Sequence, residues 1–120
     1  MDFAMQKPYV FALMDRIMEY SLVVAKELIK IGADIIWLGD DVGTQNGMMI
    51  SPKMWRNVFK ERMRYIIKKL KQKNPRIKIA YHCCGSYFPI MTDLIEVGVD
   101  ILNALQPTAV NMDLKKIKPR

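Results

Sequence analysis

Three short strand-like runs, Ala33 to Leu38, Arg76 to Cys84 and Val99 to Leu105, separate segments of helical periodicity along this chain. Strict alternation of helix and strand with short connections leaves few folds open. Successive strands have to lie parallel, joined by right-handed helical crossovers, which makes the chain α/β.

The first periodic segment, from about Pro8 to Ile31, repeats apolar residues at Phe11, Met14, Met18, Leu22, Ala25, Leu28 and Ile29, and Gly32 follows as a left-handed stop. Ala33 to Leu38 is continuously apolar, as expected of a strand buried on both faces, and ends in Gly39-Asp40-Asp41. The stretch "DDVGTQNGMM" reads as a loop. Ser51-Pro52 then supplies an N-cap and a first-turn proline for a helix that runs to Asn74-Pro75. In the second strand Ile77, Ile79 and Tyr81 alternate with Lys78, Ala80 and His82. Gly85-Ser86 opens a helix over Tyr87 to Val97, stopped by Gly98; Gln106-Pro107 ends the third strand; a last short helix starts at Met112 and takes in Ile117. With no linker, low-complexity tract or repeat, residues 1–120 read as one structural unit.

Hydrophobic residues make up 51% of the 120, ample for a core. No apolar run approaches the roughly 20 residues of a membrane span, and "MDFAMQKPYV" lacks the layout of a signal peptide. Cys83 and Cys84 are adjacent and make no useful disulfide framework, so reduced thiols and a cytoplasmic setting are expected.

The net charge of +7 raises the possibility of a basic module that binds nucleic acid or another anion. Eleven of the nineteen basic residues lie between Lys53 and Lys78. The same segment carries Trp55, Val58, Phe59, Met63, Ile66, Ile67 and Leu70 as one apolar stripe, with most cations off it. Its aromatic residues fall on the buried side, away from the cations, so a solvated outer helix face explains the pattern better than a nucleic-acid surface.

In parallel α/β folds the working residues lie beyond the carboxyl ends of the strands. Those ends read Gly39-Asp40-Asp41, His82-Cys83-Cys84-Gly85 and Asn103-Ala104-Leu105-Gln106, each polar or metal-capable after an apolar run. Asp40 and Asp41 either cap a turn or form a catalytic carboxylate pair that binds a cation, orients a substrate group or carries a proton. Asn103 and Gln106 either bond the backbone at the strand end or contact substrate without charge selectivity. His82 and Cys84 are two residues apart, so on an extended strand they leave the same face, while Cys83 points into the helix layer as a packing residue. Imidazole nitrogen and thiolate are zinc ligands, but a catalytic zinc ordinarily has three from the protein.

Together "GADIIWLGDDVGTQNGMMISPKMW", "IAYHCCGSYFPIMTDLIEVGVDILNALQP" and "MDLKKIKP" resemble the uroporphyrinogen decarboxylase superfamily, most closely its corrinoid-dependent methyltransferase branch. The resemblance covers most of the chain from Gly32 onward and implies part of a (β/α)8 TIM barrel, with residues 1–120 a partial domain. It implies that His82 and Cys84 are two zinc ligands, that Cys83 has no role, and that the zinc binds a substrate thiol and makes it a methyl acceptor. The methyl group would travel to or from a corrinoid protein partner. The branch's third ligand, a cysteine on a later strand, has no counterpart before Arg120. A truncated or split product, or a subunit completed as a homo-oligomer or by a complementing barrel fragment, is therefore expected, inactive in isolation. The decarboxylases, which work on a tetrapyrrole without metal, lack the His-x-Cys pair and place a serine near Asp41; decarboxylation is the weaker implication.

Overall fold

A computed structural model describes residues 8–39 and 42–117. Helix α1 spans Pro8–Lys30, and it ends as the sequence predicts. Gly32 takes φ +106°, its N–H donates to Ile29 O (3.0 Å), and Ala33 N–H donates to Leu28 O (3.0 Å). These paired bonds form a Schellman motif, which satisfies carbonyls that the helix leaves open. The same pattern of bonds recurs where Gly98 and Val99 close α4, Met91–Val97.

Strands β1 (Ile35–Gly39), β4 (Lys78–His82) and β5 (Ile101–Asn103) form a parallel sheet in the order β1-β4-β5. Helices lie between them in the chain, so these are three consecutive strands of the (β/α)8 barrel pattern. Register sets Gly39 beside His82, and His82 beside Asn103, in one row across the carboxyl ends.

The two faces of the sheet differ. Ile36, Ile79 and Tyr81 point under the helices and are buried, whereas Ile35 (44% exposed), Trp37 (59%) and Ile101 (38%) alternate onto the opposite face. The expectation of a first strand buried on both faces is thus corrected. Among the described residues helices cover only one side, and on the open face the small Ala80, flanked by Trp37 and Ile101, is alone in being fully buried.

The loop expected after β1 holds a small antiparallel hairpin, β2 (Gly43–Thr44) and β3 (Gly47–Met48). Two residues per strand are too few to give an alternation signal. What holds the hairpin is distant in sequence: Ser86 N–H donates to Thr44 O (2.7 Å) and Val110 N–H to Gln45 O (2.9 Å).

Ser51 caps the next helix as predicted, its Oγ accepting from Met54 N–H at 3.0 Å. The helix is not uniform, however. Short α2 (Pro52–Trp55) passes through a π turn (Arg56–Lys60) into α3 (Glu61–Lys73). Packing accounts for this, because the deeply buried residues Trp55, Val58, Met63, Ile67 and Leu70 include a five-residue step across the turn. A π turn absorbs the extra residue and keeps both halves of the stripe on the core. A one-turn α5 (Leu114–Ile117) closes the described chain, capped by the Asp113 carboxylate, which accepts from Lys115 and Lys116 N–H.

Among the described residues two apolar surfaces stay open. Leu13, Ile17, Tyr20, Val24, Leu28 and Ile31 form an exposed stripe along and just beyond α1, opposite the buried Leu22, Ala25 and Ile29. The other is the uncovered sheet face. No helix among the described residues is long and apolar enough to cross a membrane.

Candidate metal centre

His82 is the last residue of β4, and its imidazole is held from both sides. Nδ1 lies 2.7 Å from Asn103 Oδ1, and Nε2 lies 3.5 Å from Cys84 Sγ. The predicted convergence of His82 and Cys84 is therefore met, since strand alternation carries past the end of β4. Cys83 is fully buried among core residues, its N–H extending the ladder to Asn103 O (2.8 Å), and neither cysteine forms a disulfide.

The turn after Cys84 is fixed by close contacts. Gly85, at φ +71°, packs so near the hairpin that a Cβ there would lie 2.7 Å from Thr44 backbone atoms. Its N–H donates to Gln106 Oε1 at 2.7 Å. Opposite, Gly43 approaches Cys84 O and Ser86 O closely enough that a Cβ would meet both below 3 Å. Tyr87 donates to Ala104 O (3.2 Å), and burial, with the Cys83 thiol beside it, pushes its hydroxyl pKa up to about 12, so it stays a neutral donor.

Asn103 and Gln106, candidate substrate contacts by sequence, thus brace the two ends of the His-Cys-Cys-Gly segment: Asn103 holds the imidazole, and Gln106 holds the backbone. Asp40 and Asp41 lie outside the described residues.

The donor set can be tested against zinc. Zn–N bonds of about 2.0 Å and Zn–S bonds of about 2.3 Å at a tetrahedral angle put the two ligand atoms about 3.5 Å apart. The Nε2 to Sγ separation is 3.5 Å, which matches that spacing. No group of three or more His, Cys, Asp or Glu residues that could hold a metal occurs among the described residues.

Sequence reasoning passed over a second polar cluster. Arg56 and Lys60, at opposite ends of the π turn, both bond the Asp93 carboxylate on α4 (3.0 and 2.7 Å), and Lys60 also reaches Glu96 (2.8 Å). Burial pushes the Asp93 carboxyl up, but the bonds from Arg56 and Lys60 outweigh it and hold it below the usual carboxylate range. Those bonds with Asp93, and for Lys60 also with Glu96, raise the Arg56 and Lys60 pKa values. The signal was present in the sequence: Asp93 stands among Ile90, Leu94 and Val97 at core-facing helical spacing.

Parallel strands joined by helices, with a braced His-Cys pair at their carboxyl ends, define a barrel-type α/β protein, a class whose sites lie at the strand ends. The chain belongs to the uroporphyrinogen decarboxylase family, whose model, Uroporphyrinogen decarboxylase (URO-D), matches residues 1–118. No curated protein and no solved structure matches it.

Proposed function

We propose that this chain carries two ligands of a zinc site in a corrinoid-dependent methyltransferase of the uroporphyrinogen decarboxylase family. The observation that carries the reading is the His82 Nε2 to Cys84 Sγ distance of 3.5 Å, the spacing zinc requires. When bound, zinc lowers the pKa of a thiol substrate and so supplies a thiolate able to accept a methyl group from a corrinoid partner protein. His82 and Cys84 hold the metal. Gln106, through Gly85, keeps Cys84 turned toward His82. Trp37, Ala80 and Ile101 offer an apolar surface leading up to the pair, suited to excluding water from a methyl group. Asp40 and Asp41, which follow Gly39 in the chain, are assigned to orienting substrate or carrying its proton.

Zinc titration of the barrel completed by association, with the third ligand supplied by the complementing fragment, against a chromophoric chelator tests the reading. Binding is expected in the wild type and in Cys83→Ala, and is expected to disappear in His82→Ala and Cys84→Ala. Zinc retained by the last two variants excludes the assignment.

Decarboxylation of uroporphyrinogen is the second reading, favoured by the description of the matched family. Chelator-insensitive formation of coproporphyrinogen would support it. A basic anion-binding module gains less support, because Arg56, Lys60, Arg62, Arg64 and Lys71 each form an ion pair with an acidic side chain.

The partner reading is association, with a second copy or with a complementing barrel fragment. Among the described residues β1 and β5 each have one neighbour in the sheet, and the apolar stripe of α1 lines an open groove with β1. Unpaired edges and apolar faces of this kind are ordinarily covered. Light scattering is expected to give a mass well above the 14.0 kDa of one chain, and a monodisperse monomer would contradict the reading.

A further inference from the structure

We infer that Asn103 is a positioning residue that fixes the tautomer of His82, keeping the proton on Nδ1 and the Nε2 lone pair directed at the Cys84 side. The inference takes its purpose from the zinc reading above, but it rests on contacts that exist without metal.

Parallel register sets Asn103 directly beside His82, on the strand next to it and on the same face. The neighbour on the other side of His82 is Gly39, which has no side chain to compete. Asn103 Oδ1 is an amide oxygen and can only accept a hydrogen bond. Its 2.7 Å contact with Nδ1 therefore requires the proton to be on Nδ1. A neutral imidazole has one ring proton, so Nε2, 3.5 Å from Cys84 Sγ, is left as a lone pair. In water the neutral histidine side chain prefers the opposite tautomer, with the proton on Nε2, where it would block a cation. Asn103 reverses that preference, and as a neutral group it does so without adding negative charge. Its own position is secured by the bond from Cys83 N–H to Asn103 O (2.8 Å), which ties β5 to the segment carrying both candidate ligands.

His82 is the only histidine, so side-chain nitrogen NMR of the labelled chain reports on it alone. The wild type is expected to show a protonated Nδ1 and a bare Nε2. Asn103→Leu, close in shape but without an acceptor, is expected to move the proton to Nε2, and Asn103→Asp to keep it on Nδ1. In the barrel completed by association, added zinc is expected to shift Nε2 in the wild type and to bind roughly 10- to 100-fold more weakly to Asn103→Leu. A wild-type proton on Nε2, as a reversed Asn103 amide would give, overturns the inference even if the Leu variant fails to fold. So does a folded Asn103→Leu that keeps the proton on Nδ1. If the proton is on Nδ1 but zinc leaves Nε2 unmoved, the tautomer assignment stands and the zinc reading falls.

Discussion

Gly85→Ala is expected to lower the stability of the chain by about 3 kcal/mol and its thermal midpoint by about 10 °C. Two costs add. A non-glycine residue in the left-handed region at φ +71° costs about 1–2 kcal/mol. The new Cβ would also stand 2.7 Å from the N, C and O atoms of Thr44, all backbone, so no side chain can swing aside to make room. The hairpin has to retreat, and with it go the Ser86 N–H bond to Thr44 O and the packing of Gly43 against Cys84 O. Gly32→Ala separates the two costs. It lies at φ +106°, further from the left-handed well, with nothing within 4 Å of the added atom. It pays the conformational cost alone. Thermal unfolding followed by circular dichroism at fixed protein concentration is the measurement; a Gly85→Ala loss no larger than the roughly 1–2 kcal/mol of the left-handed backbone alone would show that the close approach of hairpin and turn contributes nothing.

That contact also shows where sequence reasoning reaches its limit. Periodicity located all three sheet strands, the capping Ser51 and the stops at Gly32 and Gly98, because each is set by local rules acting over a few residues. Alternation also sorted His82 and Cys84 from Cys83, a consequence of strand geometry alone. The hairpin and the π turn are decided by partners far along the chain: Ser86 and Val110 for the first, Asp93 and the core beneath Trp55 and Met63 for the second. The bracing by Asn103 belongs to the same class. That Asn103 is polar and ends a strand is legible, but that it faces His82 depends on the register of β4 against β5. Register is a property of the assembled sheet, and a one-residue slip would send Asn103 to the other face.

Asp93→Asn is expected to destabilise the chain by about 2 kcal/mol near neutral pH, with a loss that shrinks on acidification. The carboxylate is nearly buried and accepts from both Arg56 and Lys60, joining the π turn to α4. Removing one partner of a fully buried pair costs about 3–5 kcal/mol. Here the Arg56 side chain is 45% exposed and can recover water, which sets the smaller figure. The pH dependence follows from the direction of the shift. Because the folded-state pKa of Asp93 lies below its unfolded value, the stabilisation is fully present above the ordinary Asp pKa of about 3.9 and is lost as pH falls through the folded value. Lys60 is shifted the other way, upward, so its contribution is lost only in strong alkali and does not enter the acid limb. Asparagine keeps the shape and one acceptor but cannot titrate. Urea unfolding across the acid range should therefore show wild type and variant converging as pH drops below that of a free carboxylate, while a constant gap between the two curves would mean that the charge on Asp93 does not hold the π turn in place.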